Sequence, residues 1–128
     1  MIPGIRENLL NEDYQVPINT TATDGSEFNS KVAALGLARY ASITFYVKGD
    51  HASCSKQVIF KIVSFDSKRN LWDTEPLMEV SLAANGTAKV QKTVAFNPDI
   101  EAIKLLSVQN QETVAGYTVD VNVSVFPN

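Results

Sequence analysis

The stretch that decides the fold is Tyr117-Thr-Val-Asp-Val-Asn-Val-Ser-Val-Phe126. Tyr117, Val119, Val121, Val123 and Val125 alternate with Thr118, Asp120, Asn122 and Ser124. Successive side chains of a strand point to opposite faces, so a period of two predicts a ribbon with one face in a core and one in water. Valine is stiff at χ1 and suits a pleated surface, so local propensity agrees with the pattern. One strand cannot bury its own valine row, and the rest of the chain must supply a facing sheet. We expect Ile43, Phe45, Val47, Phe60 and Ile62 to belong to that sheet, leaving the polar row outward as plain scaffold.

Working back along the chain, Ile43, Phe45 and Val47 alternate with Ser42, Thr44, Tyr46 and Lys48 up to Gly49-Asp50. Val58 to Phe65 and Ile103 to Gln109 are apolar on both faces, as central strands are when both faces are covered. Asp66-Ser-Lys-Arg-Asn70 joins the first of these to Leu71-Trp72 as a hairpin. Met78, Val80 and Leu82 form another set, and Asn85-Gly86 predicts a tight type I′ hairpin into a return strand carrying Ala88, Val90, Val94 and Phe96, interrupted by Lys92. Phe96 to Ile100 breaks that strand, with Asp99 placed to cap one helical turn. Val16 to Thr21 reads as a short edge strand, since Pro17 cannot donate to a ladder. Glu27 to Leu35 reads as a second strand with Phe28, Val32 and Leu35 as its apolar members, although Ala33 to Ala38 also suits a helix.

The sum is about eight strands at spacings of roughly 8–12 residues, the signature of an all-β antiparallel sandwich. Eight strands favour a jelly roll over an immunoglobulin-like sandwich, and the Cys…Trp…Cys pattern of the latter is missing because Cys54 is the only cysteine. Residues 1–20 differ: Ile2, Ile5, Leu9, Leu10 and Tyr14 sit among Pro, Gly, Asn and acidic residues without a sustained period. The segment reads as an N-terminal arm ahead of a β-sandwich domain over residues 21–128. Two readings of it are open, a tail folded back on its own domain or a strap on a neighbouring subunit, and on the second those five residues are the partner-binding set.

Composition bounds the function. The 128 residues carry a formal net charge of -3, and the 11 basic residues are scattered, which disfavours nucleic-acid binding. No stretch approaches the roughly 20 apolar residues that span a bilayer, and the first residues lack the pattern of a secretory signal, so synthesis in a reducing cytoplasm is expected. Without that signal, the sequons at Asn19, Asn85 and Asn122 read as chance matches.

A search for chemistry yields little. His51 is the single histidine, and Asp50, His51 and Ser53 are too close together in one loop to converge as a triad, so they read as solvated turn residues. Cys54 reads as a small buried hydrophobe, and Asp66, Asn70 and Asp73 lack the spacing and terminal Glu of a calcium loop. No metal, cofactor or catalytic residue is assigned, and a non-enzymatic protein is expected. Trp72 with Tyr40 and Tyr46 is the sole candidate for a sugar-stacking platform, against core or rim packing.

Ser42-Ile-Thr-Phe-Tyr-Val-Lys-Gly49, Val58-Ile-Phe-Lys-Ile-Val63, Asn70-Leu-Trp-Asp-Thr74 and Ile103-Lys-Leu-Leu-Ser-Val-Gln-Asn110 together resemble the small β-sandwich virion proteins of tailed bacteriophages, the capsid decoration or cement type. The resemblance covers about residues 40 to 126 and rests on strand, turn and Trp placement; the arm lies outside it. It implies a structural protein that binds the major capsid protein on the outer capsid surface, commonly as a homotrimer. The alternative is a carbohydrate-binding or receptor-binding module of a tail or neck component.

Overall fold

Each strongly alternating run of the sequence is a strand in the structure, a computed structural model that describes residues 5–23, 28, 31–35, 38–96 and 100–127. The strands are β1 (Ile5–Asn8), β2 (Tyr14–Val16), β3 (Thr21–Ala22), β4 (Ala33–Ala34), β5 (Ala38–Gly49), β6 (Gln57–Asp66), β7 (Leu71–Trp72), β8 (Met78–Ala83), β9 (Lys89–Phe96), β10 (Ala102–Asn110) and β11 (Tyr117–Pro127). They form two antiparallel sheets. In the first, β1 and β2 share one edge along β11, followed by β5 and β9. In the second, β3 and β4 share an edge along β10, followed by β6, whose far side carries β8 and β7. Each sheet therefore has four strand positions. Except for β6 and the β7/β8 position after it, consecutive positions cross between sheets, in the order of two interlocked Greek keys, which is a jelly roll.

The core lies between the sheets. Tyr117, Val119, Val121 and Val123 are at most 1% exposed, so the valine row faces inward as its period predicts. One detail of its surroundings differs from expectation. Ile43, Phe45 and Val47 are not in the facing sheet; they lie beside the row on β5, with Val121 opposite Phe45 and Val119 opposite Val47. Phe60 and Ile62 do face it from β6, and the Phe45 and Phe60 rings meet across the core at 5.0 Å between centroids. The period of two fixes which face is buried but not which strands are neighbours, and that ambiguity produced the difference.

The expected N-terminal arm is, from Ile5, an edge of the first sheet. Its main chain pairs Ile5 with Val125 through Asn8 with Asn122, and Tyr14 with Val119 through Val16 with Tyr117. From Asn8 to Tyr14 the edge advances six residues while β11 advances three, from Asn122 to Val119. The excess is taken up in a loop over residues 9–13, in which Leu9 N donates to Val121 O at 2.8 Å and Asp13 adopts φ 54°. Leu9 and Leu10 turn into the core, 0% and 1% exposed. An irregular hydrophobic pattern was the signal of a bulged edge, not of a loose tail.

Three further differences concern connections. The strand expected over Val16–Thr21 is a crossover: β2 ends at Val16 and β3 begins in the other sheet at Thr21, with Asn19 at φ 48° between them. Of the strand expected over 27–35, Ala33–Ala34 is strand rather than helix and Phe28 is buried in the core, while 27, 29 and 30 lie outside the described residues, as does Asp99. Asn85-Gly86 does make a turn, closed by Ala88 N donating to Asn85 O, but it leads from one sheet to the other instead of forming a hairpin. Its positive φ falls on Gly86 alone, so it is not the type I′ turn that Asn-Gly suggested. The Asp66–Asn70 hairpin stands as read, with Phe65 opposite Trp72 and Asn70 at φ 53°.

Candidate functional site

Four loops meet at one end of the sandwich: 17–20, 50–56, 84–88 and 111–116. Glu112 ties three of them together, and 84–88 joins through Cys54. Its Oε1 accepts from the Ser55 amide (2.7 Å), the Lys56 amide (3.1 Å) and the Tyr117 hydroxyl (3.0 Å), while Oε2 accepts from the amides of Thr113 and Val114. Its main-chain oxygen accepts from Asn19 N at 2.9 Å. Asn110 adds a second brace by donating Nδ2 to the Val16 and Pro17 carbonyls, and Gly86 N donates to Cys54 O. Glu112 is 1% exposed. Burial pushes its carboxyl up, but the Lys56, Ser55 and Thr113 amides and the Tyr117 hydroxyl outweigh this and hold it at about 2. The same contact acts oppositely on Tyr117, whose hydroxyl is pushed far up, by burial first and then by Glu112.

Gly49 permits the close approach of two of these loops, since a Cβ there would collide with Gly86 O and with Cys54 Cβ. The braced end displays apolar tips. Ile18 and Val114 stand on the two loops joined by the Asn19–Glu112 bond, 46% and 48% exposed.

The second feature is an open cleft of about 320 Å³ on the outer face of the first sheet, lined by Arg6, Asn8, Glu12, Asp13, Tyr46, Gln91, Asp120 and Asn122. The register builds its floor. Asp120, Tyr46 and Gln91 form one row across β11, β5 and β9, and Asn8, Asn122, Thr44 and Thr93 form the next, beginning on β1. The loop over 9–13 raises one wall, and Asp13 N donates to Asp120 Oδ1 at 2.9 Å. Asp120 is raised above the usual carboxylate range by burial first; the Asp13 amide lowers it, and the charges of Asp13 and Glu12 raise it further. Tyr46 is likewise raised, by burial, Asp120 and Asp13. The Asn122 Oδ1 is out of solvent and has no hydrogen-bond partner among the described residues.

The residues singled out in the sequence are dispersed. Of the partner-binding set, Leu9 and Leu10 are core, Tyr14 is half-buried with its ring 6.2 Å from that of Phe28, Ile5 is a strand residue of β1, and Ile2 lies outside the described residues. Leu9 and Leu10 thus have no surface to offer a partner in this state. Trp72 packs on Phe65 at 5.1 Å under the Lys104 ammonium, in the second sheet, whereas Tyr40 and Tyr46 belong to β5 of the first; no joint platform forms. His51 Nδ1 accepts from the Ser53 main-chain N, and Asp50 Oδ1 from the Thr118 hydroxyl. Asp66 takes the Arg69 guanidinium at 2.8 Å and Asp73 the Ser64 hydroxyl. Cys54 is buried at 2% exposure. Among the described residues no cluster of three or more His, Cys, Asp or Glu is placed to hold a metal ion, and no helix is long and apolar enough to cross a membrane.

Neither the Glu112 brace nor the cleft was read from the sequence. A lone Glu in a polar loop carries no sequence signal of burial, and the cleft needs β1, β5, β9 and β11 brought side by side.

No protein-family model and no curated protein matches the sequence. Solved structures do match the fold. The PRD1 vertex protein P5 aligns over 98% of this chain and 99% of its own at 11% identity, with a TM-score of 0.53. The CBM22-1 xylan-binding domain of Paenibacillus barcinonensis Xyn10C aligns over 100% and 99% at 10% identity, with a TM-score of 0.52. A CBM4 structure aligns over 77% of this chain at 17% identity and a TM-score of 0.46, and the chain spans 59% of its length. At these identities the likeness is one of fold, shared by viral vertex and carbohydrate-binding domains alike.

Proposed function

We propose that the chain is a non-enzymatic structural protein of a tailed-bacteriophage virion, a decoration protein that seats its braced loop end on the major capsid protein at the outer capsid surface, as a homotrimer. The observation that carries this reading is the Glu112 brace beneath exposed Ile18 and Val114. A preformed apolar-tipped platform loses little conformational entropy on docking, so more of its contact energy appears as affinity. The full-length likeness to a vertex protein supports the reading at the level of fold. The partner-binding role expected of Leu9 and Leu10 passes to the loop end, because those leucines are occupied in the core.

The test is co-sedimentation of purified protein with capsids from which it is missing. Wild-type protein should saturate the capsids and run as a trimer by light scattering. An Ile18→Asp/Val114→Asp variant with unchanged melting temperature should lose binding at least tenfold. Failure of the wild-type protein to bind capsids sinks the virion reading; full binding by the double variant sinks the loop end as the contact.

A further inference from the structure

Beyond the virion reading, and independent of it, we propose that the outer face of the first sheet is a binding site for a neutral polyhydroxylated ligand, a segment of glycan, held in the cleft floored by Asn122, Asp120, Tyr46 and Gln91. The floor is made of groups that exchange hydrogen bonds with hydroxyls. Asn8, Gln91 and Asn122 each offer both an amide donor and a carbonyl acceptor, Tyr46 a hydroxyl, Asp120 an acceptor and Arg6 a donor. A sugar, whose hydroxyls donate and accept at once, matches such a mixture; an apolar molecule finds nothing to pack on.

The charges narrow the choice. Glu12, Asp13 and Asp120 outnumber Arg6, so phosphate and other anions meet repulsion. A cationic peptide would answer the carboxylates. Its ammonium or guanidinium groups only donate, however, so they leave the Asn8, Gln91 and Asn122 amide N–H groups unanswered and meet the like charge of Arg6. A hydroxyl both donates and accepts, so it answers the Asn8, Gln91 and Asn122 amides without requiring charge.

The shape favours a chain over a single ring. The polar rows run across four neighbouring strands, which at the usual strand spacing is about 14 Å, and the cleft is open rather than enclosed. The wall is fixed in place, since Leu9 and Leu10 anchor the 9–13 loop in the core and Asp13 N is tied to Asp120. The site is separate from Trp72, which lies on the second sheet, but it takes in Tyr46, one of the two tyrosines that the sequence grouped with that tryptophan.

The experiment is an isothermal and NMR titration of the full chain with neutral hexasaccharides (xylo-, cello-, manno- and maltohexaose), with hexalysine and inorganic phosphate as controls. At least one hexasaccharide should bind and perturb the Asn8, Gln91 and Asn122 side-chain amide resonances. Asn122→Ala and Gln91→Ala, with melting temperatures unchanged, should each weaken it at least fivefold, while Ile18→Asp/Val114→Asp leaves it intact. Silence toward all four sugars overturns the proposal, as does tighter binding of hexalysine or phosphate at the same resonances, or unaltered affinity in both cleft variants.

Discussion

Replacing Glu112 by Gln should weaken the loop end from within. The side chain keeps its volume and its Oε1 acceptor, but where Oε2 now receives the Thr113 and Val114 amides the variant presents an NH2 group to two N–H donors. A carboxyl carried from its ordinary 4.5 to about 2 corresponds to at most about 3 kcal/mol between the two ends of its titration. The retained Oε1 acceptor offsets part of this, and about 2 kcal/mol is the expected loss at pH 7. In a chain of 128 residues that lowers Tm by roughly 7 °C. The pH dependence has a definite sign. Because the folded pKa lies below the unfolded one, the contribution is complete above about 4.5, fades as pH falls, and is gone near 2. Urea unfolding of both proteins between pH 7 and 2.5 should show a gap that is constant down to about pH 5 and then closes. A gap below 0.5 kcal/mol at pH 7, or one that stays open at pH 2.5, would refute the assignment of Glu112 as a charged brace.

Other perturbations test the frame. Leu9→Ala should cost about 2–5 kcal/mol by denaturant unfolding, and deletion of residues 1–15 should unfold the chain, because both remove core that a free arm would not supply. A folded, cooperative deletion variant would restore the arm. Glu7 pairs with inward-facing Val123 and leaves Oε2 buried without a partner among the described residues, so Glu7→Leu should raise stability by about 1 kcal/mol, read as a higher urea midpoint. Gly49→Ala should cost about 1–3 kcal/mol, since its Cβ meets the Gly86 carbonyl, which a neighbouring loop holds in place; an unchanged Tm would show that loop to be compliant.

What the sequence disclosed follows from what periodicity encodes. An alternating run such as Ile43 to Val47 states that one face is buried, and that facing is found. Its partner is a matter of long-range topology, so the same run was assigned to the wrong sheet while the jelly roll as a whole was recognised. Edge positions were hardest. Leu9 and Leu10 are adjacent and both buried, which a regular edge strand with one solvated face does not permit, and the three-residue excess against β11 reconciles them. Asn85-Gly86 has the chemistry of a hairpin, and local chemistry cannot report that the chain leaves the sheet there. The outer row Thr118, Asp120, Asn122 and Ser124 looked like plain scaffold because Glu12 and Asp13 are distant in sequence and reach it only through the bulged edge.

The edges of the two sheets bear on how this chain can associate. A regular exposed edge invites pairing with another copy. Here β1 and β2 are separated by the 9–13 loop, and β8 and β7 by a matching excess, six residues from Trp72 to Met78 against three from Phe65 to Ile62 on β6. The edge formed by β3 and β4 consists of two two-residue strands. Only β9 is long and continuous, and there Lys92 occupies the register position beside inward-facing Phe45 yet remains exposed. An inward-facing position filled by an ammonium group costs more to seal under a second strand than to leave in water, which is how natural edge strands resist extension. Strand addition is thus discouraged at all four edges. Any contact with another chain then falls to loops and faces, and the exposed Ile18–Val114 end and the polar cleft of the first sheet are two such places.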